Sequence, residues 1–174
     1  MPECNIDTEL IKQAEKTSAC LIKRLKEKSF TIALAESCTA GLISALIAGT
    51  PGASSILWGS FVCYTKEAKV SMLGLNDKEL DTYGLVSRET ACSMAASALE
   101  KSGSSISAAV TGLAGPDGDG SGKNIPVGTV WIAVAMQNGD IKVKDFYFTG
   151  SRNEVRIRAA IAVLEEILGA LPRT

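Results

Sequence analysis

The chain has no histidine among its 174 residues. That absence removes imidazole as the base for a nucleophilic serine and as a ligand for zinc. The five cysteines, Cys4, Cys20, Cys38, Cys63 and Cys92, include no C-x-x-C pair, so a zinc site is not expected either. An odd, scattered set of free thiols suits a reducing compartment, and the expected location is the cytoplasm. There is no surplus of positive charge: 18 Lys and Arg stand against 19 Asp and Glu, a net charge of −1. A phosphate backbone calls for clustered cations, so no nucleic-acid partner is expected. The start, MPECNIDTEL, has neither the basic opening nor the apolar stretch of a secretory leader. The longest apolar run, Val127–Met136, is too short to span a bilayer, and no membrane association is expected.

What remains is the composition of an ordinary globular protein, with 46% hydrophobic and 21% charged residues. The length suits one domain over residues 1–174. Apolar residues at helical spacing predict an amphipathic helix over Thr8–Lys28 and another over Ser151–Leu171. Between them the pattern predicts strands at Phe30–Glu36, Trp58–Tyr64 and Ile106–Val110. It predicts helices at Thr39–Ala48, Lys66–Leu73, Asp77–Tyr83 and Arg88–Ser102, with Thr65 and Ser87 as caps. Two further strands, Thr129–Gln137 and Lys142–Phe148, meet at Asn138-Gly139, a hairpin signal. Strands alternating with helices, followed by a hairpin and a closing helix, predict a three-layer α/β/α sandwich around a mixed sheet. The order of the strands does not follow from this pattern.

The segment AESCTAG, residues 35–41, joins the first strand to the second helix. A serine there is lifted clear of the sheet, and the free amides of the next helix favour negative charge beside it. Either Ser37 is a nucleophile or Ser37 and Thr39 cap the helix. Without histidine, a nucleophilic Ser37 needs lysine as its base. Lys66 and Lys69 follow the second strand and are the candidates; a lysine desolvated at a helix start has a lowered pKa. Cys38 is a second potential nucleophile, and Tyr64 at the mouth of the same strand is a phenol that can orient reacting groups. The glycine-rich stretch Thr111–Gly128 departs from both the Walker A and the dinucleotide-binding patterns. It reads either as a surface loop or as a backbone cradle for a polar ligand built on Gly112, Gly115, Gly118, Gly120 and Gly122. Asp117 and Asp119 lack a third carboxylate, so no metal is expected. Arg152 opens the last helix, where a guanidinium can pair with phosphate or carboxylate.

Five segments, AESCTAGLISALIAGTPGAS, FVCYTKEAKVSMLG, GLVSRETACSMAASAL, AVTGLAGPDG and PVGTVWIAVA, resemble in order and spacing the C-terminal domain of CinA and its stand-alone form, the bacterial nicotinamide-nucleotide amidase. The resemblance runs from about residue 8 to 170. It implies an α/β/α hydrolase that converts nicotinamide mononucleotide and water to nicotinate mononucleotide and ammonia, with no metal and no cofactor, assembled as a homo-oligomer. By position it implies Ser37 as nucleophile, Lys69 as base and Tyr64 as a third catalytic group. Substrate contacts would come from Thr111 and from Arg152, the latter on the phosphate. The main-chain amides at Thr39, Ala40 and Gly41, or those at Gly112 to Gly115, would stabilise the oxyanion. The alternatives are a catalytically weak nucleotide-binding regulatory module and an amidase for another nucleotide-like amide.

Overall fold

The structure is a computed structural model that describes residues 8–118 and 124–172. Helix α1 (Thr8–Glu27) buries Leu10, Ala14, Leu21, Ile22 and Leu25 at helical spacing. After a turn at Ser29, which has positive φ, strand β1 (Ile32–Glu36) begins two residues later than its apolar pattern suggests. Helix α2 (Leu42–Ala48) follows, then a 3₁₀ turn at Ala53–Ser55 and strand β2 (Leu57–Val62). Helices α3 (Lys66–Leu73), α4 (Asp77–Tyr83) and α5 (Arg88–Ser102) have the predicted bounds, and the side chains of Thr65, Asn76 and Ser87 cap them. Strands β3 (Ile106–Gly112), β4 (Thr129–Met136) and β5 (Ile141–Tyr147) and helix α6 (Arg152–Ala170) complete the chain. Gly139, in left-handed conformation at φ 93°, turns the predicted hairpin between β4 and β5.

The sheet order is β2-β1-β3-β4-β5. Strand β1 runs parallel to β2 and to β3, while β4 and β5 are antiparallel additions. The sheet is therefore mixed, as expected. Alternation along the strands sorts side chains by size. Ile32, Leu34, Ile106, Val110, Ile132 and Val134 face the layer of α1, α2 and α6. Ala35, Ala109, Ala133 and Ala135 face the other layer, where α5 answers with Ala91, Ala95 and Ala98. Small residues on both sides let α5 sit close, and the Ser107 hydroxyl donates to the Ala95 carbonyl at 2.6 Å. Three layers result.

One expected boundary is wrong in an informative way. Helix α2 begins at Leu42, not Thr39, because Ala40 (φ 51°) and Gly41 (φ 88°) take left-handed conformations. Residues 37–41 form a turn, and its serine is no helix cap.

Candidate active site

From β1 the chain crosses to β2 on one side through α2. It then crosses to β3 on the other side through α3, α4 and α5. The carboxyl ends of β1 and β3 therefore flank a topological switch point, where open α/β sheets bind ligands. A cavity of about 410 Å³ opens there. Ser37, Lys69, Tyr64, Thr111, Gly112, Gly115 and Arg152 all line it. Four separate stretches of the chain thus meet at one place.

At its base, the Lys69 Nζ lies 2.9 Å from Ser37 Oγ and donates to the Cys63 carbonyl at 2.8 Å. The lysine is fully buried and Ser37 is 6% exposed, open only toward the cavity. Burial pushes the Lys69 ammonium down from its ordinary pKa, and the neighbouring Cys63 and Cys38 only partly oppose this. Lys66, three residues earlier, is the opposite case. It bonds Asp77 at 2.8 Å and Asp81 at 2.6 Å, and these hydrogen bonds raise its pKa. Of the two candidate lysines, Lys69 is the one in contact with Ser37, while Lys66 is held by the two aspartates. Cys38 also touches the cavity, but it is buried against the aliphatic layer and that burial pushes its thiol up to about 12, which disfavours the thiolate.

The rim is tied together by Arg152. Its Nη2 donates to the Tyr64 hydroxyl at 2.7 Å and its Nη1 to the Gly115 carbonyl at 2.5 Å. Tyr64 is half exposed. The Thr111 hydroxyl donates to the Leu85 carbonyl at 2.7 Å, so toward a ligand it is left with lone pairs. Gly112 packs against β4 so closely that a Cβ would sit 2.7 Å from the Thr129 carbonyl oxygen. Gly115 has φ +81°, and a Cβ there would meet Val127 Cγ1 at 2.5 Å. Asp117 and Gly118 also line the cavity, whereas Asp119, Gly120, Gly122 and Lys123 lie outside the described residues, as does Cys4. Among the described residues no three metal-ligating side chains cluster, and no helix is long and apolar enough to cross a membrane.

Thr39, Ala40 and Gly41 do not line this cavity. The first two amides inside α2 that point out of the helix, those of Ile43 and Ser44, donate to the Glu36 carboxylate at 3.0 and 2.9 Å. Sequence reasoning missed Glu36, and it missed that Arg156 is tied to the turn, where its Nη2 donates to the Thr39 carbonyl at 2.8 Å. The signal for Glu36 was present: an acid closing an otherwise apolar strand needs buried partners.

Three parallel strands extended on one side by an antiparallel pair, with a buried Ser–Lys contact at the switch point, define an α/β protein of mixed sheet. Residues 14–171 match the CinA C-terminal domain, and the chain belongs to that family. The nicotinamide-nucleotide amidohydrolase PncC of Enterobacter agglomerans is 38% identical over 144 residues, 83% of this chain and 87% of its own length. A CinA-like protein of Syntrophomonas wolfei is 40% identical over 148 residues, 85% of this chain. The chain spans about a third of that relative, 34% of its length. Among solved structures, the competence/damage inducible protein CihA of Agrobacterium tumefaciens superposes with a TM-score of 0.86 at 35% identity, covering 90% of this chain and 94% of its own. A CinA superfamily protein of Escherichia coli gives 0.87 at 28% identity, covering 96% and 94%.

Proposed function

We propose that residues 1–174 act as one amidase domain that hydrolyses nicotinamide mononucleotide to nicotinate mononucleotide and ammonia, in pyridine-nucleotide salvage. The observation that carries this reading is the 2.9 Å contact between Lys69 Nζ and Ser37 Oγ inside a buried pocket. The match to an amidohydrolase of that name, over 83% of this chain and 87% of the relative, supports the substrate. Neutral Lys69 takes the Ser37 proton, and the alkoxide attacks the carboxamide carbon. The tetrahedral oxyanion is met by amides of the Gly112–Gly115 segment, which lines the cavity, other than that of Leu113, which donates to the Thr129 carbonyl; residues 39–41 do not line the cavity. Collapse expels ammonia with a proton returned by Lys69, and water then cleaves the acyl-enzyme through the same base. Tyr64 orients the reacting groups from the rim. Thr111 accepts from ribose or amide donors, and Arg152 exchanges its Tyr64 and Gly115 partners for the phosphate. The enzyme works in the cytoplasm as a homo-oligomer, a reading that rests on the family resemblance and the free thiols.

Ammonia release measured over a panel of nucleotide amides tests this. Nicotinamide mononucleotide should be turned over, and free nicotinamide, which lacks the ribose and phosphate, should be a very poor substrate. Tight binding without ammonia would instead mark a nucleotide-binding module.

A further inference from the structure

Glu36 closes a strand that is buried on both faces, and it is itself fully buried. Its carboxylate receives four hydrogen bonds. Oε2 accepts from the Thr39 hydroxyl at 2.9 Å and the Ile43 amide at 3.0 Å. Oε1 accepts from the Ser44 amide at 2.9 Å and the Ser60 hydroxyl at 3.1 Å. These donors fill the four lone-pair positions of a carboxylate. They belong to the turn, to α2 and to β2, so one side chain fastens three elements to the end of β1.

The next residue is Ser37. Its amide donates to the Val110 carbonyl at 3.0 Å, and its hydroxyl meets Lys69 of α3. Consecutive residues at a strand end point to opposite faces. Glu36 enters the layer of α2, and Ser37 reaches the layer of α3. We propose that Glu36 is a positioning residue that keeps the Ser37 hydroxyl on Lys69 by locking the turn from the opposite face of the sheet. We further propose that an amide cannot replace it. Each carboxylate oxygen receives a main-chain N–H, which cannot be turned into an acceptor. A glutamine in either orientation therefore sets its NH₂ against the amide of Ile43 or of Ser44. The hydroxyls of Thr39 and Ser60 are adaptable, and the two amides are not.

This inference rests on Ser37 being the nucleophile of the proposed reaction, so its test reads that serine directly. A fluorophosphonate reacts with an activated serine: an O–P bond forms, the P–F bond breaks, fluoride leaves and the serine proton passes to Lys69. Labelling of Ser37 is followed by peptide mass on the full chain. Glu36→Gln should label at least about tenfold more slowly, because misplacing a reacting atom is costly. In the ammonia assay it should lower kcat and leave KM within about twofold. Where Glu36→Gln fails to fold, Thr39→Val and Ser60→Ala each delete one neutral donor. Each should slow labelling about threefold with the melting transition retained, and Thr39→Ser should restore the rate. A folded Glu36→Gln that labels at the wild-type rate overturns the proposal, as do wild-type rates in both Thr39→Val and Ser60→Ala. A wild-type chain that labels at Ser37 but releases no ammonia overturns the substrate reading instead and leaves these comparisons intact.

Discussion

Two strand-to-helix turns build the reactive pair, and they are made in opposite ways. The turn from β2 to α3 is self-sufficient: the Thr65 hydroxyl accepts from the Ala68 amide, and Lys69 sits one turn into the helix it opens. The turn from β1 to α2 has no such cap. Gly41 stands at the capping position without a side chain, and the helix amides are satisfied from inside by Glu36. The first turn spends its hydroxyl on structure and delivers Lys69, the proposed base. The second obtains its structure from a buried acid and so frees the hydroxyl of Ser37. A polar residue before a helix is thus not a cap by default; what satisfies the amides has to be identified first.

The hardest test of that contrast removes the freed hydroxyl. Ser37→Ala should cost several orders of magnitude in kcat, as loss of a nucleophile does, while circular dichroism remains that of the folded wild type. Retention of more than about a tenth of the activity would break the comparison at its root. Next comes the base. Lys69→Ala should lose at least about a hundredfold, whereas Lys66→Ala, which only releases Asp77 and Asp81, should stay near wild type in the same assay. Equal losses would mean that the β2–α3 turn delivers its function through both lysines.

The protonation of Lys69 sharpens the point. The base must be neutral to act, so kcat/KM should rise with pH as Lys69 loses its proton. Burial lowers that pKa, so the acidic limb of the pH–rate profile should lie below the ordinary lysine value of about 10.4. A limb at the ordinary value would show a solvated amine.

Arg152 belongs to neither turn, and its removal should separate binding from chemistry. Arg152→Ala should raise KM about tenfold or more and change kcat far less, the mark of uniform binding. Arg152→Lys should recover part of this, since it keeps the charge without the fork. The smallest effect is expected at the self-sufficient turn: Thr65→Ala should lower stability by about 1 kcal/mol in denaturant unfolding, the usual cost of a lost cap.

Much of this was readable from residue order. Helical spacing located α3, α4 and α5 to the residue, helped for α3 and α5 by the local caps Thr65 and Ser87 and by Gly74 and Gly103 beyond their ends; the cap of α4, Asn76, was not read. The start of α2 was not readable, because Ala40 adopts a left-handed conformation that its side chain does not advertise. Residue types alone narrowed the base to two lysines. The resemblance pointed to Lys69, and the physical reason that separates the two, Asp77 and Asp81 of α4 held against Lys66, is a contact across elements. The work of Glu36 and Arg156 was hidden for the same reason: their partners lie on other elements, up to 117 positions away for Arg156 and Thr39.

The position of α6 has a consequence for how the protein comes into being. It is the final helix, and it packs against α1, the first one described. Joining them closes a loop spanning most of the chain, and such non-local closure slows folding relative to helical bundles. During synthesis, Ser37 and Lys69 emerge well before Arg152. The nascent chain therefore holds its reactive pair before it owns the arginine that straps Tyr64 to the Gly115 loop. On the proposed reading, competence for a phosphorylated substrate waits until α6 docks, so activity in a translation reaction should lag the appearance of the sheet.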